Sequence, residues 1–235
     1  MAPVRSYSNW NKRAVDEKNQ IEPYQKFFFI CEGANTETWY FQNLIDLRKQ
    51  LGIHPLIDIC LLEKTEQDKD ISYPLKLIQF ADSQKSNEEI GFDTEHDKMI
   101  IVFDADIFEE KVSNYSEILK IAEDNGDILA VTNPAFELFL LLHYEGAYEE
   151  NILPNRDEIL KNEKEGNQTY IYRLLRERTG INSKKNSLIG KLAERVEVAI
   201  RQEKNLNQDA IDCQGKLTSN IGRVIDEIRK STVTL

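Results

Sequence analysis

Apolar and polar positions over the first two thirds of the chain alternate between two textures. Lys26-Phe-Phe-Phe-Ile-Cys31 is a continuous apolar run, which predicts a strand covered on both faces. A polar turn, Glu32 to Glu37, follows it, and then an amphipathic helix over Thr36 to Leu51, with Tyr40, Leu44, Leu47 and Leu51 at helical spacing and Gly52 ending it. The pattern recurs. Leu56 to Leu62 predicts a second strand and Tyr73 to Ser86 a helix. Met99 to Phe103 predicts a third strand ending at Asp104, and Asn114 to Glu123 a helix stopped near Gly126. Ile128 to Thr132 predicts a fourth strand. Asn133 and Pro134 then read as N-cap and first helical position of another helix.

Strands separated by helices imply parallel pairing with right-handed crossovers. The predicted fold is α/β, a Rossmann-like parallel four-stranded sheet between helices, followed by a helical C-terminal region. Beyond about residue 150 no strand signal remains; 157–164, 169–179, 187–204 and 218–230 all read as helices. The expected organisation is a loose N-terminal tail over 1–22, an α/β domain over 23–150, and a helical region over 151–235 packed on it.

Composition changes this picture in four ways. With 40% hydrophobic and 30% charged residues the chain is globular. No apolar run approaches the roughly 20 residues needed to span a bilayer, and residues 1–20 lack the apolar core of a signal peptide, so no membrane association and a cytoplasmic location are expected. The three cysteines, Cys31, Cys60 and Cys213, are far apart and form no CxxC pair, which argues against a disulfide framework or a zinc site. The net charge of -11 is unevenly spread. Residues 151–235 hold 16 basic and 12 acidic residues, whereas 1–150 hold 14 and 29. Either the basic helices grip phosphate, or they are solvated surface.

In an open parallel sheet, ligands bind beyond the carboxyl ends of the strands. Glu32 and Gly33 follow the first strand, with Glu37 close behind; Asp104-Ala105-Asp106 follows the third; Glu137 comes one turn after the fourth. Carboxylates gathered at one edge repel one another, and a divalent cation relieves that repulsion. Oxygen-only ligands favour Mg²⁺, Mn²⁺ or Ca²⁺ over zinc or copper. Asp104 and Asp106, alternating in an extended segment, would present their side chains on one face. Each of these signals has a plainer reading. The aspartates would serve as N-caps, Gly33 as a turn residue, Glu137 as a partner of the helix dipole, and Glu37 as part of a helix start. His143, on an apolar helix, reads either as a hydrogen-bonded core residue or as a proton shuttle.

The combination of a glutamate after the first strand and an Asp-x-Asp after the third resembles the Toprim domain. Three stretches narrow the likeness: FFFICEGANTETWYFQNL, MIIVFDADIF and VTNPAFELFLLLHY resemble the RloB family in the expected order. The resemblance implies a metal-dependent nuclease, with Glu32 as catalytic carboxylate and Asp104 and Asp106 as metal ligands. Glu137 is a further candidate carboxylate. It implies a role in bacterial anti-phage defence, an ATPase partner and a homodimer, with RNA such as tRNA slightly ahead of DNA as substrate. Ala34 and Asn35 depart from the basic or acidic residues common at these positions in the family. Arg173, Arg176, Lys184 and Lys185 are the candidates for holding the phosphate backbone. Two rival readings stand beside this one. A haloacid-dehalogenase-type phosphatase would also place Asp-x-Asp after a strand, although after its first. A non-catalytic module would use the acidic edge to bind a metal or a partner.

Overall fold

The computed structural model describes residues 23–64, 73–105 and 115–232. The tail expected over 1–22 lies outside them. Strands β1 (Gln25–Cys31), β2 (Ile57–Leu61), β3 (Lys98–Asp104) and β4 (Ile128–Asn133) alternate with helices α1 (Thr36–Asp46), α2 (Pro74–Lys85) and α3 (Tyr115–Asp124). β1 pairs in parallel with β2 and β3, and β3 with β4, so the four predicted strands form one parallel sheet. A fifth strand, from the C-terminal region, extends it.

Why the apolar runs form central strands follows from their two faces. Phe27, Phe29 and Cys31 of β1 join Ile57, Ile59 and Leu61 of β2 in one core, packed with Tyr40, Phe41 and Leu44 of α1. The alternate residues Phe28 and Ile30 join Met99, Ile101 and Phe103 in a second core, packed with Leu77, Ile78 and Ala81 of α2 and Ile118 and Ala122 of α3. The period of two sends successive side chains to opposite layers. Each such side chain contributes roughly 1.5–3 kcal/mol on full burial.

α1 is shorter than its apolar spacing predicts. It closes at Asp46, and residues 47–51 continue as hydrogen-bonded turns to Gly52, whose φ is 73°. Asn133 does not cap a helix. It ends β4, and its side-chain amide donates to the carbonyls of Cys213 (2.8 Å) and Lys216 (2.9 Å). Helix α4 starts only at Glu137 and runs to Leu141, with Phe136 before it. The side-chain amide of Asn133 thus anchors a later loop instead of capping the backbone beside it.

The C-terminal region is more varied than the helices predicted for it. A π-helical turn (Tyr148–Ile152) and a 3-10 turn (Leu153–Asn155) lead into α5 (Arg156–Lys161). The two-residue strands β5 (Lys164–Glu165) and β6 (Gln168–Thr169) form a hairpin before α6 (Tyr170–Thr179). The helix expected over 187–204 divides into a 3-10 segment, Ser187–Arg195, and α7 (Val196–Glu203). The 3-10 segment lies so close to α1 that a Cβ at Gly190 would sit 2.4 Å from the Trp39 carbonyl oxygen.

β7 (Thr218–Ser219) then pairs antiparallel with β4, giving the order β2-β1-β3-β4-β7, and α8 (Ile221–Lys230) follows. The Asn220 side chain continues that edge: its Oδ1 accepts from the Val131 amide (2.6 Å) and its Nδ2 donates to the Leu129 carbonyl (2.9 Å). Buried Glu203 closes the junction. It accepts from the Ser219 hydroxyl (2.5 Å), the Gly222 and Arg223 amides (2.9 and 2.8 Å) and the Gln208 amide (3.1 Å), satisfying N–H groups that the first turn of α8 leaves unpaired.

Candidate metal centre

The C-terminal ends of the parallel strands are stitched to one another by the candidate residues themselves. The Asp104 amide donates to Glu32 Oε2 at 3.1 Å, so the side chain after β1 holds the end of β3. The Thr132 hydroxyl of β4 donates to Asp104 Oδ1 at 2.5 Å. Lys64, three residues beyond β2, donates from its ammonium group to the Glu32 carbonyl. All four parallel strands therefore deliver a polar group to one edge.

Glu37, in the first turn of α1, reaches back over Gly33. A Cβ at Gly33 would lie 2.1 Å from Glu37 Oε2, so the absence of a side chain at Gly33 lets the Glu37 carboxylate approach this closely. Glu137 is buried in the first turn of α4 and accepts from the Ser183 hydroxyl at 3.2 Å. The segment carrying Ser183 and Lys184 is held against α1: the Thr36 hydroxyl donates to the Ser183 carbonyl (3.0 Å) and the Asn35 amide to the Lys184 carbonyl (3.3 Å).

These carboxylates sense one another. Burial pushes the Asp104 carboxyl well above its usual range, the charges of Glu37 and Glu32 push it further, and the Thr132 hydrogen bond opposes the rise. Burial raises Glu37 to about 7; its own backbone amide opposes this, Glu137 adds to it, and Lys184 and Lys64 pull it back. Crowded like charges of this kind favour a divalent cation, and the donors are all oxygen. Among the described residues no three Asp, Glu, His or Cys side chains converge as a ready ligand cage. Mg²⁺ needs none, because one or two carboxylates, waters and a substrate phosphate complete its shell. Glu32 and Asp104 suit that pattern.

Glu32, Asp104 and Glu137 thus lie at one edge, while Asp106 falls outside the described residues. Lys184 sits beside the carboxylates. Arg173 is turned to the β5–β6 hairpin, donating to the Gln168 carbonyl (2.9 Å) and facing Glu165 at 3.6 Å. Arg176 and Lys185 are exposed, with no contact to the carboxylates among the described residues. His143 is a core residue. Its Nδ1 faces the carbonyls of Phe139 (3.0 Å) and Leu140 (3.2 Å) and so carries the proton, and its Nε2 accepts from the Tyr40 hydroxyl (2.9 Å). Lys64, Thr132 and Ser183 were not singled out from sequence. For Lys64 the signal was available, since it follows a strand as Glu32 does.

The model of the family described as RloB-like protein matches residues 27–228. The chain belongs to the RloB-like family. No curated protein and no solved structure matches it significantly. The RloB-like match runs from β1 into α8, so the sheet, the carboxylate edge and the Ser183–Lys184 segment all lie within the family unit. No helix among the described residues is long and apolar enough to cross a membrane.

Proposed function

We propose that this RloB-like protein is a Toprim-type nuclease that hydrolyses phosphodiester bonds with Mg²⁺ or Mn²⁺. The observation that carries the reading is the hydrogen bond that ties Glu32 to the Asp104 amide at the carboxyl edge of the parallel sheet, where the charges of Glu37 and Glu137 are also felt. Glu32 and Asp104 would hold the ion, with Asp106 next along the chain. A bound divalent cation would stabilise charge developing on the phosphate and favour ionisation of the attacking water.

The remaining roles belong to the chain's own backbone and side-chain groups. The Asp104 amide orients the Glu32 carboxylate, and Thr132 fixes the rotamer of Asp104. Lys64 and Lys184 bring positive charge beside the carboxylates, where a phosphate oxygen would be received. Glu37, held near neutrality at about 7, is suited to accept a proton from water. RNA such as tRNA is slightly favoured over DNA. The wider role proposed is that of a cytoplasmic effector in bacterial anti-phage defence, working as a homodimer with an ATPase partner.

Calorimetric titration with Mn²⁺ tests the metal site. Wild type should bind, and Glu32→Gln and Asp104→Asn should each weaken binding by at least about tenfold. Unchanged affinity in both variants would remove the site from these residues.

A further inference from the structure

Aromatic and cationic side chains also cluster around Tyr144 and Tyr172. Tyr144 lies three residues beyond the end of α4, whose first residue is Glu137. Two guanidinium groups converge on its ring, Arg178 of α6 at 5.7 Å and Arg195 at 5.8 Å from the centroid. Nearer the carboxylates, the Lys184 ammonium lies 5.9 Å from the Tyr172 ring.

Two arginines brought to one ring repel each other, as the carboxylates do. The ring offsets only part of that cost, since an exposed cation–aromatic contact contributes roughly 0.5–1 kcal/mol. Arg178 meets Glu150 at 3.4 Å, but Glu150 is 60% exposed, and such surface pairs are weak and readily exchanged. Arg195 is exposed and makes no hydrogen bond or ion pair among the described residues. Guanidinium forks match phosphate oxygens, and their flat faces, like tyrosine rings, stack unpaired bases.

We propose that Tyr144, Arg178 and Arg195 form a clamp for the phosphate and base of a single-stranded nucleic acid, adjoining the carboxylate edge through Lys184 and Tyr172. Only its relation to a scissile bond rests on the nuclease reading; binding itself does not. A duplex suits the clamp poorly, because its bases are already stacked and present no free face.

The test is fluorescence anisotropy with a short labelled single-stranded oligoribonucleotide in EDTA, where cleavage cannot intervene. The expected result is binding by wild type and by Glu32→Gln, and at least tenfold weaker binding by the double variant Arg178→Gln/Arg195→Gln. The double variant should also show a log–log salt dependence shallower by about 1.4, the loss of two contacts at roughly 0.7 each. A duplex of the same sequence should bind more weakly than the single strand. Thermal unfolding of the double variant verifies that it folds. Equal affinity and equal salt dependence in the folded double variant would overturn the clamp, as would absence of binding by wild type. Binding of the expected kind without cleavage by wild type in Mg²⁺ would remove the nuclease reading and leave the clamp standing.

Discussion

The amide of Asp104 donates to the carboxylate of Glu32 at 3.1 Å, so one candidate metal ligand is positioned by the backbone of the other. Two substitutions at Glu32 should therefore differ. Glu32→Gln keeps an acceptor oxygen for that amide and should fold with near wild-type stability. Glu32→Ala removes the acceptor and should cost about 1 kcal/mol in urea unfolding. Both should lose cleavage. Equal stability of the two variants would show that water replaces the side chain at the Asp104 amide.

Gly33→Ala separates stability from activity. The new Cβ would meet the flexible end of Glu37, 2.1 Å away, and not the backbone. Glu37 should swing aside at a cost below about 1 kcal/mol. Cleavage should fall roughly 10- to 100-fold, because a displacement of about an ångström suffices for that. Retained cleavage with a displaced Glu37 would place that residue outside the machinery.

The sheet was legible because continuous apolar runs such as 27–31 and 99–103 are long enough to announce buried parallel strands, and the strand-end rule then points to Glu32 and Asp104. The C-terminal region was not. The strand Thr218–Ser219 is too short to show a period, and the side chain of Asn220 extends its pairing in place of backbone. Asn133 misled for a related reason: its amide bonds two carbonyls some 80 residues away, which no local pattern encodes. Ser183 and Lys184 reach the site only through tertiary contacts with Thr36, Asn35 and Glu137.

Glu203 should give stability a falling pH dependence. Burial raises its folded pKa from 4.5 to about 7, against the hydrogen bonds of Ser219, Gly222 and Arg223. The folded state therefore holds a proton that the unfolded state has lost, and stability present below about pH 4.5 declines as pH rises through 7. The full effect is about 3 kcal/mol. Urea unfolding of wild type and Glu203→Gln from pH 5 to 8 measures it. The difference between them should shift against wild type as pH rises, and a constant difference would contradict the assignment.

His143 should act in the opposite direction over nearly the same range. Burial lowers its pKa from 6.5 to about 4, with the charge of Arg195 adding to the shift. The unfolded state takes up the proton first, so stability is full above about pH 6.5 and is lost as pH falls towards 4. The two slopes largely cancel in wild type. Single variants are needed to expose either. The imidazole resonances of His143 should show no titration midpoint between pH 6 and 8, where an unburied histidine titrates. Tyr40→Phe, which leaves Nε2 buried without its hydroxyl donor, should cost about 1–3 kcal/mol.

The most direct test of the account is incubation of total RNA and plasmid DNA with purified protein in Mg²⁺ or Mn²⁺, beside Glu32→Gln and an EDTA control. The account predicts metal-dependent cleavage by wild type, RNA ahead of DNA, and none by the variant. Cleavage that persists in Glu32→Gln, or in EDTA, would contradict it.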